Sequence, residues 1–83
     1  MKNITDNKVE MCSLAIKDLL KTNDSLIEEM IDWYCKDYHL NQAIVRQGLH
    51  SSPNKREDFC RNFMDNCKDP DLHEKFAKHL DEY

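Results

Sequence analysis

Cysteine and histidine are the side chains of this 83-residue chain with the widest chemical repertoire. Cys35 and His39 stand four apart, so a helix would place them on one face; His73 and His79 enclose five residues further on. Thiolates and imidazoles converging tetrahedrally would hold zinc. Zinc modules bring their cysteines in close pairs, and neither Cys-x-x-Cys nor Cys-x4-Cys occurs here. Cys12, Cys35, Cys60 and Cys67 fall instead at spacings of helix core positions, which reads as small buried hydrophobes with no metal and no cofactor. A Cys–His nucleophilic pair would also need an oxyanion site and an orienting residue. With a single glycine the chain has no glycine-rich loop to cradle an oxyanion or a phosphate. Glu28-Glu29 and Glu57-Asp58 fall in the first turns of expected helices, where carboxylates complement the helix dipole, and Asp81-Glu82 reads as a solvated tail. No residue is assigned a catalytic role, and the expectation is a protein that is not an enzyme.

A second constellation is cationic. Arg46, Lys55, Arg56 and Arg61 lie in a stretch, residues 41–67, that reads a little like a helix-turn-helix. A short helix would end at Gly48-Leu49, a turn would follow, and a second helix would begin with Asn54-Lys55-Arg56. Its first turn would enter the major groove, with the four cations on phosphate or base edges. Residues 1–40 carry five Lys/Arg against eight Asp/Glu, residues 41–68 five against three, and residues 69–83 two against five. The overall charge of -4 lacks the electrostatic footprint of a nucleic-acid binder, so a DNA-binding regulator is the alternative reading and a solvated basic face the leading one.

The third constellation is aromatic: Trp33, Tyr34 and Tyr38 supply large, rigid contact area of the kind enriched at interface hot spots. They are the candidate partner-binding residues. Tyr34 leans toward the core, and Trp33, which lies off the Leu26–Met30 stripe, toward an interface.

These side chains need elements to hold them, and glycine and proline mark where those elements stop and start. Helix 1 is expected over about Asp6–Lys21, capped by Thr5, with Val9, Cys12, Ile16, Leu19 and Leu20 as its apolar stripe, widened by Met11 and Ala15. Helix 2 is expected to start at Ser25 in a capping box Ser25-x-x-Glu28. Its apolar residues wrap more than half the helix, more surface than a small monomer readily covers. Helix 3 is expected over Asn41–Gln47, with Ile44, Val45 and Leu49 facing inward and Gly48 just past its end in the left-handed conformation. Helix 4 runs from Pro53 to about Lys68 with Phe59, Cys60, Phe63, Met64 and Cys67 at helical spacing. Helix 5 begins at Pro70 and carries Leu72, Phe76, Ala77 and Leu80. The fold class is all-α: a compact bundle of four to five short helices in one domain spanning residues 1–83. A chain this short gains from added burial, so a homodimer is one way to cover the excess.

No apolar h-region follows Met1 and no apolar run is long enough to span a bilayer, which points to a cytoplasmic protein with reduced cysteines and no direct membrane insertion. A secreted domain with two disulfides is the alternative that the even cysteine count leaves open. The short length, the richness in Lys, Asn and Asp, and the opening Met1-Lys2-Asn3-Ile4-Thr5-Asp6-Asn7-Lys8 resemble the small helical regulatory proteins of T-even-type lytic phages, the cytoplasmic lysis-inhibition co-antiholins in particular. That resemblance implies a regulator, with no catalytic residues, that binds the cytoplasmic part of a holin. Read on its own residues, the chain is expected to be an interaction module that binds and modulates a target protein.

Overall fold

Each of the five amphipathic stretches folds as a helix in the computed structural model, which describes residues 6–83. They are α1 (Asp6–Thr22), α2 (Ser25–Tyr38), α3 (Gln42–Ser51), α4 (Pro53–Asn66) and α5 (Pro70–Asp81), with no strand among the described residues. The expected Thr5 cap lies outside them. Apolar residues three and four apart bring each stripe inward. α1 contributes Val9, Cys12, Ala15, Ile16, Leu19 and Leu20, and packs most extensively against α4. α2 buries Ile27, Met30, Ile31 and Cys35, while α5 closes the bundle with Leu72, Phe76 and Leu80. At the centre, Phe63 of α4 meets Phe76 edge to face with ring centroids 5.4 Å apart. Its other side stacks parallel on His73, at 5.9 Å. Offset and edge-to-face aromatic pairs of this kind add to the stabilisation from burial.

The caps show what stops and starts the elements, and several differ from expectation. Asp24, not Ser25, caps α2: its Oδ1 accepts from the Leu26 N–H at 2.9 Å, and Ser25 becomes the first helical residue. Asn41 caps α3 by accepting from the Ala43 and Ile44 N–H groups. Gly48 does not end α3. It sits inside a helix that continues to Ser51, and no glycine has a positive φ. The left-handed positions are Asn23 (φ 59°) and His39 (φ 56°), which end α1 and α2. α3 continues because Leu49 must reach the core, where it is buried, and because Arg56 satisfies the carbonyls at its end. Between α3 and α4 there is only Ser52. Its N–H donates to the Gly48 carbonyl and its Oγ accepts from the Lys55 N–H, so one residue closes one helix and opens the next. Pro53 follows at the first turn, where its missing N–H costs nothing. Asp69 and Pro70 repeat the device at α5. α4 ends at Asn66, slightly earlier than expected, with Cys67 as its C-cap.

The cysteine expectation is corrected for one pair. Cys12 and Cys60 form a disulfide across the α1–α4 crossing, with Cα atoms 6.1 Å apart. Cys35 and Cys67 are free. The two sulfurs meet because both residues lie on the buried stripes of helices that pack together, a relation no spacing rule contains.

Candidate partner-binding site

The C-terminal half of α2 carries an aromatic cluster built on the core. The Tyr34 ring packs edge to face on Phe59 at 4.8 Å, and Trp33 on Phe63 at 5.2 Å. Tyr38 stacks obliquely on Tyr34 at 4.9 Å, and its hydroxyl accepts from Asn66 Nδ2. Trp33 and Tyr34 are both half-buried, with one face on the core, whereas Tyr38 is exposed. The two half-buried rings border different surfaces. Trp33 adjoins a shallow depression shared with Glu29, Asp32, Lys36 and Asp69. Tyr34 lines an apolar groove of about 200 Å³ between α2, α3 and α4.

Buried Leu49 and Phe59 floor that groove beside Tyr34, Leu40, Ile44 and Val45 form its lips, and Lys55 and Asp58 border the α4 side. Gly48 contributes only backbone to the wall, and the Lys55 stem lies 3.5 Å from where a Cβ would stand. The lips are turned outward by the α2–α3 corner. His39 takes the left-handed conformation, the Leu40 N–H donates to the Cys35 carbonyl, and Gln42 Nε2 donates to Asp32 Oδ1. This fixes the start of α3 so that Ile44, expected to face inward, is 70 % exposed and Leu40 44 % exposed. Leu49, one turn and a residue further on, takes the inward position. The exposed Leu40–Ile44 pair was not legible from α3 periodicity, because the spacing gives a stripe but not which side of it the His39 corner turns toward the bundle.

The expected nucleic-acid contacts do not form one free cationic face. Arg56 is buried, at 7 % exposure, and cannot reach a phosphate. Its Nε donates to Ser13 Oγ at 3.1 Å and its Nη1 to the Leu49 carbonyl at 2.8 Å, with a longer contact to the His50 carbonyl. The guanidinium thus sits at the negative end of α3, where a cation is stabilised. Among the described residues no carboxylate pairs with it. Arg61 pairs with Asp6 at 3.0 Å and Arg46 with Glu28 at 3.8 Å, while Lys55 is exposed beside the groove. The open turn expected between the helices is the single residue Ser52.

Cys35 and His39 do not share a helix face, since Cys35 is buried and His39 is the left-handed C-cap. Among the described residues no group of three or more His, Cys, Asp or Glu side chains gathers into a metal site. Burial pushes the Cys35 thiol up, with Asp32 adding to it. Burial also raises Cys67, against the opposing hydrogen bond to the Asp69 carbonyl. Both thiols are therefore poor nucleophiles near neutral pH. No helix among the described residues is long and apolar enough to cross a membrane. No family profile, curated protein or solved structure matches the chain.

Proposed function

We propose that this chain is a non-catalytic cytoplasmic regulator that binds a target protein through the α2–α3–α4 groove. The observation that carries the reading is Ile44, 70 % exposed at the lip of an apolar groove, beside Leu40 at the same lip, 44 % exposed. An exposed large apolar residue beside a concave apolar surface is the pattern of an interaction site rather than of a solvated helix face. The occupant is an apolar segment of a target protein carrying flanking charges of both signs, to meet Lys55 and Asp58 on the α4 rim. Tyr34 and Tyr38 supply the rigid aromatic side of the contact, and Trp33 holds Tyr38 in place through its edge-to-face contact at 6.1 Å. The resemblance to the lysis-inhibition regulators of T-even-type phages makes the cytoplasmic part of a holin the target of choice.

The test compares the full chain with Ile44→Asp, Leu40→Asp and Leu14→Asp. Leu14 is a comparably exposed apolar residue on α1, 49 % exposed, and serves as the control. A target retained by the wild type and by Leu14→Asp, and lost with both groove variants, supports the reading. Retention of the same target by all four proteins contradicts it, as does loss only with Leu14→Asp. Circular dichroism of each variant separates loss of binding from loss of fold. Titration with duplex DNA at two salt concentrations addresses the alternative, a DNA-binding regulator using residues 41–67, through the slope of affinity against salt.

A further inference from the structure

Nothing in the proposed binding surface uses the Cys12–Cys60 bond, yet it occupies a commanding position. Both cysteines are fully buried, and they stand 48 positions apart in the sequence. Cys12 adjoins Ser13 and Cys60 lies one turn beyond Arg56, so the bond and the Arg56–Ser13 clasp join the same two helices. The remaining cysteines do not compete for it. Cys35 is buried and Cys67 half-buried, and burial holds both thiols up, leaving little thiolate to attack a disulfide. Exchange thus depends on a thiol from outside the chain, and because the sulfurs are buried that attack waits for α1 and α4 to part.

We propose that Cys12–Cys60 is a reversible redox staple between α1 and α4, with the chain folded in both forms and converted by a dithiol reductant of the thioredoxin class. One thiolate of the reductant attacks a sulfur of the bond, forming a mixed disulfide and releasing the other cysteine as a thiolate. The reductant's second thiolate then displaces the first cysteine. The reductant leaves as its own disulfide, two electrons have passed to the protein, and Cys12 and Cys60 take up two protons. The reduced form keeps its fold because two thiols are small apolar groups that fit the same core positions. The remaining helix stripes and the Arg56 clasp are untouched. The oxidised form is more stable because the bond restricts the unfolded chain. For the 48-residue separation the loop-closure relation gives about a thousandfold smaller unfolding equilibrium constant.

The full chain is equilibrated in buffers of stepped potential set by a dithiol and its disulfide, quenched with acid and alkylated in denaturant, and the blocked cysteines are counted by mass spectrometry. Oxidised and reduced samples are then unfolded in urea. The expected result is two blocked cysteines at oxidising potential and four at reducing potential. Both samples show helical circular dichroism and a cooperative transition, with the unfolding constant about a thousandfold larger when reduced. Cys12→Ala/Cys60→Ala should match the reduced protein and ignore reductant, whereas Cys35→Ala/Cys67→Ala should keep the full response. Four blocked cysteines at every potential, coincident transitions, a reduced chain that is unfolded, or a response surviving in Cys12→Ala/Cys60→Ala each overturn the proposal.

Discussion

Replacing Arg56 with methionine isolates the polar part of one buried contact, because methionine keeps much of the apolar stem and removes the guanidinium. Two short hydrogen bonds disappear, to Ser13 Oγ at 3.1 Å and to the Leu49 carbonyl at 2.8 Å, together with the favourable placement of a cation at the end of α3. A hydrogen bond to a charged group contributes about 1.5–3 kcal/mol, and the buried partners are left unsatisfied. Relief of the cost of burying the charge offsets part of this, giving an expected loss of about 2–4 kcal/mol. For a domain of this size that is a large share of a total of roughly 4–12 kcal/mol. Urea unfolding followed by Trp33 fluorescence, with the disulfide oxidised in every sample, reads the loss as a lower midpoint at unchanged slope. Ser13→Ala should cost about 1 kcal/mol. The double variant should fall short of the sum by at least about 0.5 kcal/mol, because the two residues share a bond. Arg56→Lys should recover only part of the stability, since a single ammonium lacks the fork that reaches Ser13 and Leu49 together. A loss below about 0.5 kcal/mol for Arg56→Met, or strict additivity with Ser13→Ala, would refute the argument that this clasp ties α3 and α4 to α1.

Two further outcomes follow from local geometry. Gly48→Ala should raise stability by about 0.5–1 kcal/mol in urea unfolding, because Gly48 lies in the interior of α3 and an added Cβ meets Lys55 Cγ at 3.5 Å, an ordinary contact; a loss would mean that the helix breaks there after all. The Tyr83 hydroxyl donates to Asp18 Oδ2, and that bond raises the phenol above its ordinary value of 10.0. A group raised in the folded state contributes stability that is present below its unfolded value and lost as pH rises through the folded one. Wild-type protein should therefore lose stability above about pH 10 more steeply than Tyr83→Phe, and parallel curves would contradict the assignment.

Much of the architecture could be read from local pattern, and what could not depended on contacts far apart in the chain. The stripes of α1, α4 and α5 follow from residues three and four apart, and Ser52-Pro53 and Asp69-Pro70 announce helix starts through cap and ring chemistry alone. Gly48 misled because glycine marks helix ends only when the backbone there turns left-handed. Here burial of Leu49 and the Arg56 contacts carry α3 three residues past it. Adjacent Asp24 and Ser25 are both competent caps, and the choice between them rests on how the α1–α2 turn presents the chain. Arg56 and Ser13 are 43 residues apart and Cys12 and Cys60 are 48 apart, so neither partnership leaves a local trace. Of the candidate partner residues, Tyr34 and Tyr38 were visible as aromatics on α2. Leu40 and Ile44 became candidates only once the His39 corner had set the direction of α3.

Hydrogen exchange of the full chain with and without its target tests the docking claim most directly. The account predicts added protection confined to the corner and α3, over residues 38–49, with the α4 turn around Lys55–Phe59, and little change on the α1 face around Met11 and Leu14. Protection centred on Met11 and Leu14, or on the depression beside Trp33, with residues 38–49 exchanging as in the free protein, would contradict it.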